Sequence, residues 1–464
     1  MRNNTIGLLP LYLDLYDKIT PGGHEEYRGY IDSIASLLSS FGVDVVSPGV
    51  VFTPEHLSKA EKIFREKNVI ALAVLHLCYS PSLLVADFIE ESRLPALIID
   101  STPDSTLDPN SEGILRRNHA IHGVMDLTSV LKSRGLHRVV VAGHRDAPRF
   151  RNRLEKAVKS LKAAGAFHNQ KIGITGHPFE GMGDFSIDFK TLEQDFGITV
   201  QEIPVSQIAE RGNSAGEEAV RQRIEEDKKF WNVDAISDED HTRAVKDYLG
   251  LKSIVESEKL TGYTMNFQHI GESIPAPFYG CSGLISSGYG YGGEGDVLTA
   301  ALGGPMNLLS HAAKFDEFFC PDWKNNRILM SHMGESDSRF VKKDSTPKLV
   351  TREGFLNPHQ SVIYRFQAEP GEATFVNIAP VAAGGYRLVA GLLNIVDTEL
   401  MPNIPSPHYQ VEPNMPLHLF LERYAEAGGG HHLYIVRGDV LEELQFFCRY
   451  LGIEWISVSP DTKG

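Results

Sequence analysis

The chain has 464 residues, of which 42% are hydrophobic and 23% charged, and a formal net charge of −15. Two or three domains with a sizeable core fit this length. The negative balance offers no basic field to nucleic acid or an anionic membrane, and neither is an expected partner.

No stretch reaches the ~18 uninterrupted apolar residues of a membrane span. The apolar start "TIGLLPLYLDLYDK" is broken by Asp14 and reads as a first strand, not a signal peptide. Cys78, Cys281, Cys320 and Cys448 form no C-x-x-C and sit in or beside apolar runs. They read as buried free thiols in a reducing compartment, so a cytoplasmic protein is expected.

In chain order, the first third alternates apolar runs ("TIGLLPLYL", "VDVVSP", "VIALAVLHL", "PALIID", "RVVVAG") with amphipathic stretches such as "TPEHLSKAEKIFREKN". Near-continuous Val/Ile/Leu strands separated by helices predict a doubly wound parallel sheet covered on both faces. A basic helix, "PRFRNRLEKAVKSLKAAG", closes this first domain, residues 1–169.

A second α/β unit, residues 170–306, opens with "KIGITGHPFEGMGDF" and runs through "ITVQEIPV", a charged helical region over 214–259, and "GYTMNFQ". After about residue 306 come strands with turn residues between them, from "RILMSHM" to "GYRLVAGLLNIVDTEL", then "MPLHLFLERYAEAG", "HHLYIV", "VLEELQFFCRYLG" and "IEWISV". This predicts a mostly antiparallel, barrel-like C-terminal domain over 307–464.

The stretch "SSGYGYGGEGDVLTAALGG" contains Gly288-x-Gly290-x-x-Gly293, the spacing of a dinucleotide phosphate loop. Such a loop needs a buried strand before it and a helix after it. The preceding "APFYGCSGLISS" is more helical than strand-like, and Glu294 would face the phosphate at close range. No nucleotide cofactor is expected. Asp296 reads as the N-cap of the helix that follows. Glu294, flanked by glycines, is either aimed at something positive or directed into water.

Three more stretches bear on that choice. Glu317 lies among aromatics in "KFDEFF", His332 follows an apolar run in "ILMSHMGESD", and His431 and His432 follow a glycine run in "AEAGGGHHLYIV". Each has a bland reading: a solvated acid, a satisfied core histidine, a surface pair. With Glu294 they offer two carboxylates and, counting one of the His pair, two imidazoles, which suits a hard or borderline divalent ion such as Mn²⁺, Co²⁺ or Mg²⁺. The lack of cysteine ligands argues against structural zinc.

These stretches resemble a known family. "GYGYGGEGDVLTAAL" resembles the "GYGF.GEGDWKTAAL" of L-arabinose isomerases, "SHMGE" their "SHMLE", "GGGHH" their "GG.HH", and "FDE" their "FME". "NFQ" resembles "TFE" and "NHAIHG" resembles "NQSAHG", all six in the family's order. The resemblance implies two α/β domains followed by a β-rich domain, with Glu294, Glu317, His332 and His432 as metal ligands. Glu294 and Glu317 would be acid and base. His431 would face the substrate, Phe267 would line the sugar pocket, and His122 would reach the site of a neighbouring subunit. The implied assembly is trimer-based, with a hexamer expected, and the implied substrate is a free pentose or hexose.

The family's "GSQHLYG" is replaced here by "PLYLDLYDK", which puts Asp14 and Tyr16 where Gln and His would touch the sugar. His177, in the loop "GHPFEGMGDF", is a further candidate for facing the sugar. The expected activity is a metal-dependent aldose–ketose isomerase, an intramolecular oxidoreductase. Its alternatives are a ketose epimerase of the same fold and a non-catalytic sugar-binding protein.

Overall fold

Strand β1 (Thr5–Leu11) has six of its seven residues buried and pairs in parallel with β2 (Asp44–Val46) and β3 (Ala71–His76). The sheet continues through β4 (Ala96–Asp100) to β5 (Val139–Ala142), in order β2-β1-β3-β4-β5. Every residue of β3 is buried, as a strand with helices on both faces requires. Helix Pro54–Glu66 starts where Thr53 accepts a hydrogen bond from the His56 N–H at 3.3 Å, and it buries Ala60 and Phe64 against the sheet. The computed structural model describes residues 4–271, 274–353, 359–382 and 384–460. The tail of the expected strand "PKLVTREGF", from Gly354, lies outside them.

The chain forms two compact units, one holding the residues up to Ala166 together with Glu442–Ile453. In that unit the helix Leu441–Leu451 packs on the helix Pro148–Phe167. Lys156 pairs with Glu442 at 2.9 Å, and the Ser160 hydroxyl donates to the Glu443 carbonyl at 2.8 Å.

The other unit spans Phe167–Leu441 and takes back the chain from Glu454. In it follow β6 (Lys171–Thr175), β7 (Thr199–Glu202), β8 (Asn232–Ala235), β9 (Gly262–Met265) and β10 (Gly290–Gly293). All but β8 form a four-stranded parallel sheet in the order β10-β9-β6-β7. The charged region over 214–259 is two helices, Glu217–Phe230 and Asp238–Ser257, with β8 between them.

Strands β11 (Ala313–Asp322), β12 (Arg327–Ser331), β13 (Lys348–Arg352), β14 (Ser361–Arg365), β15 (Gly371–Pro380), β16 (Tyr386–Val396), β17 (His408–Pro413), β18 (His432–Arg437) and β19 (Glu454–Ser457) complete the unit. Six of them close an antiparallel barrel in the order β15-β18-β11-β12-β17-β16, with β16 returning to β15. One edge of β16 pairs with β15. The other serves β19 through Arg387–Ala390 and β17 through Leu393–Val396, changing partner around Gly391. Strands β13 and β14 form a small sheet with β8.

The expected class is therefore borne out: two parallel α/β sheets followed by an antiparallel barrel. One expectation on cysteines is corrected. Cys78, Cys281 and Cys448 are buried, but Cys320 is exposed, because it sits at a bulge between Phe318 and Cys320 that turns it outward from β11. Among the described residues no helix is long and apolar enough to cross a membrane.

Asp247 is 6% exposed on the helix Asp238–Ser257. Burial, opposed by the Arg243 guanidinium, pushes its carboxyl up to about 7. The unfolded chain titrates near ~4. The folded state therefore holds the extra proton, and this stabilising contribution is full below ~4 and lost as pH rises through about 7. Asp247→Asn should stabilise the protein at pH 8 by ~4 kcal/mol, with the difference closing as pH falls toward 4. Thermal melts across that range would check it.

Candidate metal centre

The glycines of "GYGYGGEGD" are explained by close packing. A Cβ at Gly290 would overlap the Ala300 carbonyl, and one at Gly303 would overlap the Tyr434 hydroxyl. That hydroxyl is wedged against β10, accepting from the Tyr291 N–H at 2.8 Å and donating to the Tyr291 carbonyl at 2.7 Å. Helix Val297–Leu309 can thus lie directly on the strand.

Between them the chain turns at Glu294, which has φ +58°, a left-handed conformation that costs a non-glycine residue ~1 kcal/mol or more. The turn aims Glu294 inward, with only 11% of its side chain exposed. Asp296 caps the helix, accepting from the Thr299 N–H at 2.9 Å with one oxygen, and its other oxygen meets His432 Nδ1 at 2.9 Å.

Barrel register supplies the remaining groups. Glu317 on β11 lies opposite His432 on β18 and Ser331 on β12, and His332 follows Ser331 directly. Glu317 Oε1 is 3.4 Å from His332 Nε2 and 3.4 Å from His432 Nε2, while Glu294 Oε2 is 3.8 Å from His432 Nε2. His431 Nε2 is 3.8 Å from Glu294 Oε2 and 4.0 Å from Glu317 Oε1. The Phe315 ring stands edge-on to both His332 and His432, and Phe185 stacks on His432 at 4.7 Å.

Each imidazole holds a carboxylate through its Nδ1 side. His332 meets Glu335 at 2.9 Å, His432 meets Asp296 at 2.9 Å, and His431 meets Asp184 at 2.6 Å. Glu335 also accepts from the Tyr291 hydroxyl at 2.8 Å. Burial alone would lower the His332 pKa, but Glu335 and Glu317 outweigh it and push it up to about 9. His431 is raised to about 10 against its own burial by Asp184 and Glu294, and His432 is raised by Asp296 and Glu317. Burial works against ionisation of Glu317, yet the three imidazoles hold it below the usual carboxylate range. The cavity demands positive charge.

Glu294 Oε2, His332 Nε2 and His432 Nε2 are buried and make no hydrogen bond among the described residues. Two trios have ligand atoms mutually within 4.8 Å: Glu317, His332 and His432, and Glu294, His431 and His432. His432 Nε2 belongs to both and has one lone pair, so the trios describe the surroundings of a single ion. Carboxylate and imidazole donors suit Mn²⁺, Co²⁺ or Mg²⁺, and the residues present fit such a cation.

Of the other candidates in this unit, Phe267 is half-buried, with its ring 6.1 Å from Phe179. His177 is exposed beside His269, and its carbonyl accepts from Asn266 at 3.0 Å. In the other unit, Tyr16 Oη is 3.4 Å from His119 Nδ1, and His119 Nε2 is 2.7 Å from the exposed His122. Asp14 pairs with Lys18. His119 links Tyr16 to His122. Tyr16, His119, His122 and Arg116 line a cavity of about 710 Å³ with Ile19, Leu107, Leu115 and Ile121.

A parallel sheet joined to a closed barrel, with acids and imidazoles converging at their junction inside one unit, defines an α/β–barrel protein with a candidate divalent-cation centre. Two sequence models of one family match the chain: the L-arabinose isomerase central domain over residues 188–312 and the L-arabinose isomerase C-terminal domain over 312–454. The L-arabinose isomerase of Geobacillus stearothermophilus is 24% identical over 455 residues, covering 95% of this chain and 91% of that protein. That of Geobacillus kaustophilus is 24% identical, covering 92% and 88%, and that of a Nocardioides species 24%, covering 90% and 86%. The chain belongs to the L-arabinose isomerase family as a divergent member, which supports an isomerase of the aldose–ketose type.

Asp296 separates its two tasks by substitution. Asp296→Asn keeps a capping oxygen but loses the carboxylate on His432. It should weaken Mn²⁺ binding ~10- to 100-fold while changing stability by less than ~1 kcal/mol. Asp296→Ala should lose ~1 kcal/mol more. Mn²⁺ titration and thermal melting would read the two effects separately.

Proposed function

We propose that the protein is a divalent-metal-dependent isomerase interconverting an aldose and a ketose, on a free pentose or hexose, in the reducing cytoplasm. The observation that carries this reading is the convergence of two carboxylates, Glu294 and Glu317, with the unbonded Nε2 atoms of His332 and His432. These four residues would hold Mn²⁺, Co²⁺ or Mg²⁺. When bound, the cation would act as a Lewis acid on the substrate oxygens.

The chain's own residues account for the rest. Isomerisation moves a proton between C1 and C2 of the sugar through an enediolate. Glu294 and Glu317 are the acid and base for that transfer, work worth ~10²- to 10⁴-fold in rate. His431, 36% exposed and facing both glutamates, presents its Nε2 to a sugar oxygen. Phe315 and Phe185 cover the imidazole faces and keep water from them. Phe267 and His177 belong to the walls of the sugar site.

The partner is a second copy of this chain. Ile19, Leu107, Leu115 and Ile121 are exposed together around Tyr16, His119 and His122. A trimer-based assembly, a hexamer in full, would cover these apolar residues and carry Tyr16, Asp14 and His122 to a neighbour's site. Asp14 and Tyr16 stand where the family has other polar residues, and the sugar read there need not be L-arabinose.

Three outcomes test the reading. Incubation with a panel of pentoses and hexoses in D₂O should place deuterium at C1 or C2 of at least one sugar. No exchange with any sugar removes the isomerase, and exchange with inversion at one carbon assigns an epimerase. Glu294→Gln and His432→Ala should each lose bound Mn²⁺ by elemental analysis, and Glu317→Gln should lower kcat ~10²- to 10⁴-fold. Leu115→Glu should reduce the molar mass seen by light scattering and the turnover, with Mn²⁺ affinity unchanged, because the ligand set lies in one unit.

A further inference from the structure

Each of the three imidazoles at the metal centre has a carboxylate on its Nδ1 side. Asp296 is the cap of a helix, and Glu335 is three residues beyond His332. The partner of His431 is different. Asp184 lies in the irregular stretch between β6 and the helix Phe189–Phe196. One of its oxygens meets His431 twice, accepting from the backbone N–H at 2.9 Å and facing Nδ1 at 2.6 Å.

The approach has been left open for it. A Cβ at Gly430 would stand 3.0 Å from Asp184 Oδ2 and 3.0 Å from Asn377 Nδ2. Asn377 fixes the same backbone from the other side, accepting from the Gly430 N–H at 3.0 Å and donating to the His432 carbonyl at 2.7 Å.

The stretch bearing Asp184 lies over the metal ligands. The Phe179 N–H donates to the Glu294 carbonyl at 2.9 Å, and a Cβ on Gly295 would strike Pro178. Phe185 is 5% exposed and stacks on His432 with the ring planes 12° apart. Asp184 is therefore the one side-chain carboxylate in this stretch with a hydrogen bond to the histidine pair among the described residues. Its bond leaves His431 Nε2 directed at Glu294 and Glu317. His431 is also the most exposed of the three imidazoles, at 36%, so it stands on the side a sugar can reach.

We propose that Asp184 is a positioning residue for the isomerisation. It latches the stretch 176–188 onto the metal centre and fixes His431 so that Nε2 meets a sugar hydroxyl between the two glutamates. This rests on the isomerase reading. The residue is not a metal ligand and acts through His431.

The test compares Asp184→Asn, Asp184→Ala and Asp184→Glu in the full chain. Mn²⁺ affinity, kcat, KM and hydrogen exchange of residues 176–188 in the metal-free protein are measured for each. Asp184→Asn should keep Mn²⁺ affinity within ~3-fold of the wild type and lower kcat/KM ~10- to 100-fold. Asp184→Ala should in addition speed exchange across 176–188, and Asp184→Glu should recover part of the activity. Unchanged kcat/KM and unchanged exchange in the Asn and Ala variants overturn the proposal. So does a loss of Mn²⁺ affinity that matches the loss of activity, since Asp184 would then serve the ligand set. A wild type inactive on every sugar, with exchange of 176–188 still faster in Asp184→Ala, sinks the isomerase reading and leaves the latch standing.

Discussion

Buried negative charge governs this structure. Glu294, Glu317, Glu335 and Asp296 are withdrawn from water around one cavity, with three imidazoles among them. Two carboxylates ~4 Å apart repel by roughly 4 kcal/mol at an effective dielectric of 20. Without a cation, protons on the histidines answer that repulsion, which is why His332 and His431 are raised well above an ordinary imidazole. With a divalent cation the same geometry is satisfied at the unbonded Nε2 and Oε2 atoms. The left-handed turn at Glu294 and the glycines packed under the helix after it follow from the need to bring that carboxylate inward.

The scaffold divides the work between two kinds of element. Hydrogen-bond register in the barrel sets Glu317 beside His432 and one step from His332, so three candidate ligands are placed by strands that cannot slip without turning every side chain to the wrong face. The fourth, Glu294, comes from the turn between a strand and a helix, where a carboxylate can be aimed at the cost of local strain. Carboxylates behind the imidazoles select which ring nitrogen faces the cavity. The candidate site thus sits on strands and at their ends, and the irregular stretch 176–188 lies over it.

How much of this could be read from the residues varies by element. The parallel strands were legible because burial on both faces demands unbroken apolar runs, as in "ALAVLH" of β3. Strand β11 was not, because its sequence "AKFDEFFCPD" alternates charge with aromatics. The structure accounts for those charges. Lys314 pairs with Asp316 at 2.6 Å, Asp316 accepts from the Tyr409 hydroxyl at 2.7 Å, and all three are buried. Strand β8 was missed because it is short, partly exposed and lies between two charged helices. The four candidate ligand positions were marked by local motifs. Asp184 lies in the loop that carries His177, and nothing near it in the chain names a histidine 247 residues away as its partner.

The sequence by itself determined the class of fold, the order of its parts and the kinds of group available for chemistry, because hydrophobic period and residue type are local properties. Which nitrogen of each histidine faces inward, which carboxylate stands behind it, and that a helix near the C-terminus returns to the first unit were decided only in three dimensions. Those outcomes depend on strand register and on contacts between residues far apart in the chain, and neither leaves a trace in any short window of residues.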